Sequence, residues 1–360
     1  MEKFSCKTKI LSGAGAVSAL GDMGAKRLFV VTDSFFMNNG TARRVAEAAK
    51  GSAVAYFDKV KPDPTVELAA EGTAKLKEFH PDTVVALGGG SAMDCAKAMT
   101  YFSKEKVNFV AIPTTSGSGS EVTDFAILTH DKVKHPLVDD SLQPDVAILD
   151  SDLLQELPRS LVADTGFDVL AHALEACAAK DAGTISDLYA REAFRIAYGA
   201  LPASFAGRKE VRLKVHLAAT MAGVAFTQAG LGLCHAMAHS LGGMFHVPHG
   251  RLNAILLPSV VSCNAHVCGK KYAELARAAG MGGSADTIAV RNLKNGLLRL
   301  RRELNLPETL AQAGVDPRSV WQNVEKIVEA TLADPCSKDN PMAPEGFLVR
   351  RVLEEVTGRV

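Results

Sequence analysis

The sequence predicts a protein of two parts, an α/β domain with a parallel sheet over residues 1–155 and an all-α domain over residues 156–360. A length of 360 residues suits two domains. In the first part, short runs rich in β-branched residues alternate with amphipathic segments. The second part is a succession of long Ala- and Leu-rich segments with little strand signal, and the boundary falls near residues 150–161.

The first part alternates between strands that are apolar throughout and helices, a pattern typical of a parallel sheet covered on both faces. The predicted strands are 26–33, 53–58, 83–90, 108–115 and 145–150, and the predicted helices are 42–50, 65–80 and 91–102. The second part has predicted helical segments at 160–180, 184–206, 209–227, 233–245, 271–279, 284–304 and 317–332.

Composition argues against several classes of protein. Forty basic residues balance forty acidic ones, so we expect neither nucleic acid nor an anionic membrane as a partner. The N-terminal segment has no apolar signal core, and no apolar run reaches the length of a membrane span. The seven cysteines form no CxxC motif, which fits reduced thiols. These features predict a cytoplasmic protein.

Two segments carry the pattern of a metal site. The apolar, glycine-rich run 227–250 holds four histidines, His235, His239, His246 and His249. The first two are four residues apart, so they share one face of a helix, and Pro248 with the nearby glycines marks a turn that could return His249 to that face. In the earlier segment 165–176, Asp168 and His172 are also four residues apart.

Taken alone, either segment is more easily interpreted as a core helix whose histidine forms a local hydrogen bond. Together they favour a divalent-metal site, because burying so many ionisable groups without a common partner would cost several kcal/mol. A metal ion supplies that partner. Neither HExxH nor paired CxxC motifs occur, so spacing alone does not decide between the two interpretations.

The segment GGGSAMD (88–94) lies between a predicted strand and a predicted helix. Glycines at that position let a phosphate approach the backbone N–H groups at the positive end of the helix. The segment is not the GxGxxG fingerprint. The alternative is a simple glycine turn in which Ser91 caps the helix and Asp94 follows three residues later.

Two further features fit a dinucleotide. The hydroxyl-rich loop 114–120, TTSGSGS, leaves the next strand and could hold ribose, phosphate or amide groups, or could be a flexible linker. Asp33 closes the first predicted strand, where a carboxylate can accept a hydrogen bond from a ribose 2′-hydroxyl and repel a 2′-phosphate, favouring NAD over NADP. An aspartate at a strand end is also a common turn former.

Taken together, the motifs resemble those of the iron-dependent (group III) alcohol dehydrogenase family. They are GGGSAMD (88–94), IPTTSGSGSEVT (112–123), PDVAILD (144–150), TGFDVLAHALEA (165–176) and AGLGLCHAMAHSLGGMFHVPHG (229–250). The resemblance extends over essentially the whole chain. Within the family the chain looks most similar to the 1-propanol dehydrogenases of propanediol- and ethanolamine-degrading bacterial microcompartments.

The resemblance implies a Rossmann-like NAD-binding domain at 1–155, a helical metal-binding and catalytic domain at 156–360, and an active site in the cleft. It assigns the metal ligands to Asp168, His172, His235 and His249. It places His239, a candidate proton relay and catalytic residue, beside the nicotinamide, and leaves His246 behind the ligands. It assigns cofactor contacts to Asp33, Asp63, Gly89, Gly90, Ser91, Asp94, Thr114, Thr115, Ser118, Thr123 and Lys134, and the substrate pocket to Phe125, Phe226 and Cys234.

The implied activity is NADH-dependent, reversible reduction of a short-chain aldehyde such as propionaldehyde to the primary alcohol. The implied cofactors are Fe²⁺, with Zn²⁺ as a competitor, and NAD(H). A homodimer, a partner aldehyde dehydrogenase and a place inside a bacterial microcompartment are expectations of the same kind. The alternatives are a glycerol- or lactaldehyde-type polyol dehydrogenase, a relative of dehydroquinate synthase, and a non-catalytic scaffolding protein that kept the fold.

Overall fold

The computed structural model describes residues 4–131 and 133–358. The chain forms two compact units, one spanning Ser5–Leu157 and the other beginning at Pro158, and Phe4 groups with the second. The predicted division lay after residue 155, and the NAD-binding and metal-binding roles of the two domains stay predictions. Each unit is described by itself.

The first unit is built on a parallel six-stranded sheet with the order β1-β8-β5-β4-β2-β3. Its strands are β1 Lys9–Gly13, β2 Arg27–Asp33, β3 Ala53–Val60, β4 Thr83–Gly88, β5 Asn108–Pro113 and β8 Val146–Asp150. The central strand β4 is buried throughout. The prediction of an α/β domain with a parallel sheet is confirmed, and all five predicted strands are present.

Helices cover this sheet, and one hairpin lies outside it. The helices are α1 Ser34–Asn38, α2 Thr41–Ala48, α3 Val66–Phe79 and α4 Gly90–Ser103, and the antiparallel hairpin consists of β6 Phe125–His130 and β7 Val133–Val138. The sequence interpretation missed β1, β6 and β7. Strands β1 and β7 are largely exposed, so they lack the continuous apolar run that revealed the buried strands.

The second unit is helical, as predicted. Its helices are α5 Arg159–Ala178, α6 Thr184–Phe205, α7 Arg212–Ala229, α8 Leu233–Phe245, α9 His249–Ala278, α10 Asp286–Glu303, α11 Pro317–Gln322, α12 Val324–Ala333, α13 Pro335–Asp339 and α14 Gly346–Val356. The predicted segment 317–332 is divided at Asn323 into α11 and α12. The two last helices were not predicted.

The largest difference from the prediction is α9, which runs for 30 residues where a helix was expected only over 271–279. Its first half is buried on nearly all sides, so it shows no amphipathic period. It also contains Pro258, whose missing N–H leaves the carbonyl of Ala254 without its helical donor. The buried Arg301 points its guanidinium at that carbonyl, with Nη1 3.4 Å from the oxygen, and the helix continues unbroken.

Among the described residues, α9 is also the single helix long and apolar enough to span a membrane by itself, and the bent pair Lys209–Ala229 and Leu233–Phe245 passes the same test when joined. In α9, 72% of the apolar window is buried inside the protein. That burial is what a core helix shows.

Candidate metal centre and dinucleotide loop

Helix α5 presents one polar stripe inside an apolar core. Asp168, His172 and Glu175 are spaced i, i+4 and i+7, which places them on the same face. All three are buried, with 7%, 5% and 3% of their surface accessible. Every residue of α5 from Gly166 to Ala178 is buried, so these ionisable groups must find their partners within the protein.

Those partners come from α8 and α9. The Nε2 atom of His235 lies 3.7 Å from Oδ1 of Asp168, and Nε2 of His249 lies 3.6 Å from the same oxygen. Nδ1 of His172 lies 3.9 Å from Oδ2 of Asp168. The rings of His172 and His235 stack at 4.5 Å. The structure therefore brings together the four residues predicted as metal ligands.

The local sequence explains how His249 reaches this group. Helix α8 ends at Phe245 and is capped by His246, which is exposed and has a positive φ of 56°. Helix α9 begins at His249 immediately after Pro248. Gly250 then allows a very close approach of α9 to α5, since a Cβ there would lie 2.0 Å from the carbonyl oxygen of Asp164. Arg251 donates two hydrogen bonds to the carboxylate of Asp164, at 3.1 and 2.9 Å.

Glu175 supports the group from behind. Its carboxylate accepts a hydrogen bond from Nδ1 of His235 at 2.6 Å and from the backbone N–H groups of Cys234 and His235 at 2.7 and 3.2 Å. This fixes the ring of His235 and directs its Nε2 toward Asp168, as carboxylates commonly do for metal-binding histidines. It also places a negative charge at the N-terminus of α8, where such charge is stabilising.

Asn253, one turn after His249 on α9, is the other residue that organises the donors. Its amide nitrogen lies 2.7 Å from Oδ1 of Asp168, 3.3 Å from Nε2 of His235 and 3.2 Å from Nε2 of His249. It is fully buried. Asn253 thus holds the carboxylate in place with a donated hydrogen bond.

The electrostatics keep the carboxylate ionised. Burial acts to raise the pKa of Asp168, but His172, His249 and His235 outweigh it and hold that pKa well below the usual range. Burial acts to lower the pKa of His235, but hydrogen bonds to Asp168 and Glu175 prevail and raise it to about 9. Burial and the neighbouring imidazoles lower the pKa of His249.

This donor set fits a divalent transition metal. Three imidazoles and one carboxylate are the ligand types that iron and zinc accept. Adjacent ligand atoms around such an ion are about 3–4 Å apart when metal–ligand distances are about 2.0–2.2 Å, and the oxygen–nitrogen separations here are 3.6–3.9 Å. Asp168, His172 and His235 also offer atoms that all lie within 4.8 Å of one another.

His239 lies next to this group and has a different partner. Its Nδ1 lies 2.9 Å from Oδ2 of Asp334, and its ring stacks on that of His249 with centroids 5.1 Å apart. The side chain is 27% exposed, so it is in contact with solvent. Cys336 follows Asp334 by two residues and donates its backbone N–H to the other oxygen of that carboxylate at 2.9 Å.

Two of the three predicted pocket residues also lie here. The ring of Phe226 stacks on His172 at 4.5 Å. Cys234 is fully buried, with its Sγ 3.4 Å from Oδ1 of Asn253. The third, Phe125, lies in the α/β unit at the start of β6.

In the first unit, the two polar loops predicted to hold a cofactor face each other. A Cβ added to Gly89 would lie 3.1 Å from Oγ1 of Thr115, and one added to Gly90 would lie 3.3 Å from the side chain of Ser118. Both loops follow adjacent strands of the sheet, β4 and β5. Their closeness is therefore a consequence of strand order.

The start of α4 differs from the simple capping interpretation. The helix begins at Gly90 and its cap position is Gly89, not Ser91, and no side chain caps it. The N–H groups of this first turn therefore lack a side-chain acceptor, which is the arrangement that binds anions at helix starts. Gly88 precedes them with a φ of 151°, a conformation that only glycine adopts readily.

Behind the loops lies a network around Asp94 and Lys97. Ser120 donates its hydroxyl to Asp94 at 3.1 Å. The fully buried Lys97 donates to the carbonyl and the hydroxyl of Thr123 and to the carbonyl of Phe125, at 2.9, 2.7 and 2.8 Å. Burial raises the pKa of Asp94 to about 6, against the opposing effect of Lys97.

Other residues predicted to contact the cofactor, among them Asp33 and Asp63 on the adenosine side, have local partners as well. Asp33 caps α1 by accepting from the N–H of Phe36 at 3.0 Å, so the turn-forming role is observed. Asp63, with a φ of 54°, forms an ion pair with Lys134 at 2.7 Å. Thr114 is buried and donates its N–H to the carbonyl of Gly88 at 2.9 Å. Their part in binding a cofactor stays a prediction.

Family models now decide the class of protein. The iron-containing alcohol dehydrogenase model matches residues 7–151, and the model of the C-terminal part of the Fe-containing alcohol dehydrogenase family matches residues 162–356. The chain belongs to the iron-containing alcohol dehydrogenase family. It is therefore an oxidoreductase of that class, acting on small-molecule alcohols and aldehydes, and the family implies iron and NAD(H) as cofactors.

Individual relatives agree with that assignment. The chain is 39% identical over 370 residues to the 1-propanol dehydrogenase PduQ of Salmonella typhimurium, covering 99% of this chain and all of the relative. The iron-containing alcohol dehydrogenase of Thermococcus thioreducens superposes with a TM-score of 0.91 at 34% identity, over 98% of this chain and 99% of that one. A 1,3-propanediol oxidoreductase superposes with a TM-score of 0.93 at 30% identity, over 98% and 99%.

Sequence reasoning did not single out Glu175, Asn253, Asp334 or Cys336. Two of them could have been found from their helical spacing relative to the predicted ligands. Glu175 extends the i, i+4 pair of Asp168 and His172 to i+7, and Asn253 is four residues after His249. Asp334 and Cys336 lie about a hundred residues beyond His239, and no local pattern connects them.

Proposed function

We propose that this dehydrogenase interconverts short-chain aldehydes and primary alcohols with NADH and NAD⁺, with propionaldehyde as the representative substrate. The observation that carries the proposal is the group of one buried carboxylate and three imidazoles, two of them buried and the third, His249, partly exposed, in a chain of this family. Its nearest alternative is a glycerol- or lactaldehyde-type polyol dehydrogenase. The superposition on a 1,3-propanediol oxidoreductase keeps that alternative open.

In this proposal, the residues of the helical unit have two roles: one group binds the metal, and His239 transfers a proton. Asp168, His172, His235 and His249 hold the iron, with zinc as a competitor. When both cofactors are bound, the metal polarises the substrate oxygen and NADH supplies the hydride. Glu175 and Asn253 fix the ligands and thereby keep the donor set ready for the ion.

His239 is proposed as the group that carries the proton between substrate and solvent. Its Nδ1 is held by Asp334, which fixes the ring and leaves Nε2 as the atom that exchanges a proton. Its partial exposure gives that proton a way to water. Histidine suits the task because its charge changes near neutral pH.

The α/β unit is proposed to bind NAD(H). Gly89, Gly90 and Ser91 offer backbone N–H groups to the pyrophosphate at the start of α4. Asp94, in the same helix, belongs to this pyrophosphate segment. Thr114, Thr115, Ser118 and Thr123 of the facing segment contribute further contacts to the cofactor. Asp33 and Asp63 lie on the adenosine side and Lys134 reaches a ribose, and the carboxylate of Asp33 favours NAD over NADP.

The substrate preference rests on the apolar surroundings of the donors. Phe226 stacks on a ligand histidine, and with the buried Cys234 it suits an unbranched aliphatic chain better than a polyol. Phe125 stays a predicted pocket residue. The resemblance to a 1-propanol dehydrogenase supports the same choice. We also propose a homodimer in the cytoplasm, a partner aldehyde dehydrogenase that supplies the aldehyde, and residence in a bacterial microcompartment.

The test is NADH oxidation by protein purified without oxygen, with propionaldehyde, lactaldehyde and dihydroxyacetone as substrates, before and after chelation and after addition of Fe²⁺ or Zn²⁺. We expect propionaldehyde to be the best substrate, activity to disappear on chelation and Fe²⁺ to restore it. NADPH should be a poorer cofactor than NADH, and Asp33→Ala should narrow that difference. A preference for the hydroxylated substrates would establish the polyol alternative, and activity that survives chelation would refute the metal assignment.

A further inference from the structure

The helical unit contains a second group of metal-ligating side chains that the proposed reaction does not use as ligands. His239, Asp334 and Cys336 each offer a donor atom, and these atoms lie within 4.8 Å of one another. None of the three belongs to the donor set around Asp168. All three residues are partly exposed, so a cation from solvent can reach them.

The chemistry of this group differs from that of the first. It combines a thiol, an imidazole and a carboxylate, whereas the donor set around Asp168 has no sulfur. Thiolate ligands favour zinc and cadmium over iron. Three protein ligands with water in the fourth position would complete a tetrahedral zinc ion.

The geometry is already arranged for such an ion. Nδ1 of His239 and Oδ2 of Asp334 are 2.9 Å apart, slightly less than two ligand atoms around one zinc ion. The other oxygen of Asp334 accepts the N–H of Cys336, which fixes the carboxylate relative to the thiol. The hydroxyl of Ser337 donates a hydrogen bond to the carbonyl of Thr331 and holds this short segment in place.

We propose that His239, Asp334 and Cys336 form an inhibitory zinc site. Zinc binds there through Nδ1 of the imidazole, the carboxylate and the thiolate. The thiol proton passes to solvent, and the neutral imidazole gives up its Nδ1 proton and takes one on Nε2, so the net release is one proton. The bound zinc ion holds the imidazole of His239, so this ring can no longer relay the proton. Iron stays on its own four ligands. The binding site stands by itself, but the inhibition rests on the proposed role of His239.

The experiment uses the iron-loaded enzyme and adds zinc in steps. Metal content is measured after removal of free ions, together with the rate of NADH oxidation, and cadmium serves as an optical probe through its thiolate charge-transfer absorption. We expect one additional zinc per chain with iron retained, a cadmium–thiolate band, and a rate that falls as this site fills.

Cys336→Ala is compared with Cys6→Ala, which removes an exposed thiol of the other unit. Cys336→Ala should abolish the cadmium band and raise the half-inhibitory zinc concentration by about tenfold or more, whereas Cys6→Ala should change neither. If Cys336→Ala loses iron, Cys336→Ser provides the same test with a side chain of closer size.

Three results would overturn parts of the proposal. Zinc that displaces iron one for one would move the inhibition to the donor set around Asp168. An additional zinc ion that both Cys336 variants still bind beside the iron would show that the thiol is not a ligand. Zinc that binds through Cys336 without slowing the enzyme would leave the site standing but refute the proton relay at His239, and so that part of the proposed function.

Discussion

Two aspartates, one in each unit, have pKa values shifted in opposite directions, although burial acts to raise both. Asp94 in the α/β unit accepts a hydroxyl hydrogen bond from Ser120, and burial raises its pKa to about 6. Asp168 in the helical unit is also buried, yet its pKa lies well below the usual range because three histidines outweigh the effect of burial. The surroundings of each carboxylate, and not burial alone, set its charge.

The difference lies in how the neighbouring cations are used. Lys97 directs its three N–H donors to oxygens of Thr123 and Phe125, so it stabilises the loop more than it stabilises Asp94. Around Asp168 the imidazoles converge on the carboxylate and on one another. Lys97 has a structural role because all three of its N–H donors form hydrogen bonds. The imidazoles around Asp168 instead provide nitrogen ligands for a metal cation.

Removing the charge of Asp168 should have the largest effect, because this carboxylate, unlike that of Asp94, is proposed to bind the metal. We expect Asp168→Asn to lose nearly all of its iron and to reduce kcat/KM by about a thousandfold or more, because an amide cannot replace the anionic ligand. Iron content and the rate of NADH oxidation measure the effect. Asp94→Asn is the matched control and should retain its iron. Equal loss of iron in both variants would contradict the distinction.

The structural role of Lys97 predicts a loss of stability without a loss of metal. Lys97→Met removes three hydrogen bonds to oxygens of Thr123 and Phe125 and should lower the local free energy of unfolding by about 3 kcal/mol. The only tryptophan, Trp321, lies in the helical unit, so its fluorescence does not report on this region. Hydrogen exchange of peptides from β4 and α4 is the suitable measurement. The exposed Lys77→Met should change little, and iron depletion in Lys97→Met would contradict the prediction.

Glu175 tests how far the donor set depends on its support. Glu175→Gln keeps the size of the side chain but weakens the hydrogen bond to His235, and such changes lower metal affinity by about 10–100-fold. Competition with a chelator measures the iron affinity, and the exposed Glu354→Gln is the control. An unchanged affinity would mean that Glu175 serves only to cap α8 through its bonds to Cys234 and His235.

The sequence predicted what is local or periodic. The five predicted strands and the i, i+4 pairs of Asp168 with His172 and of His235 with His239 were visible because each feature lies within a few residues. The convergence of these pairs was inferred from the cost of burying them apart, and the structure shows it. The exposed strands β1 and β7 were missed because they lack an apolar run, and α9 because its first half is buried on nearly all sides.

The remaining contacts could not be predicted because they depend on tertiary packing. Asp334 reaches His239 across 95 residues of sequence, and Arg301 compensates Pro258 from a different helix. Gly250 looked like a turn residue, but it allows α9 to approach the backbone of Asp164. No local sequence pattern distinguishes these residues, because the role of each depends on a partner that is distant in the sequence.

The smallest expected effect is the pH dependence that Asp94 gives to stability. The pKa of Asp94 is about 6 in the folded chain, above its ordinary value of 3.8, so between these pH values the folded state binds more protons than the unfolded state. The contribution of Asp94 to the free energy of unfolding therefore falls as pH rises from about 4 to 6 and is constant above that range.

Asp94→Asn removes this titration. Relative to the wild type, we expect its stability to rise by roughly 1–2 kcal/mol between pH 4.5 and 7.5, a value reduced for the water that reaches the part-buried carboxyl. Hydrogen exchange of peptides from β4 and α4 at several pH values, in both proteins, measures the difference. A difference that does not change with pH would show that Ser120 and Lys97 offset the effect of burial on Asp94, and the predicted rise of its pKa would be wrong.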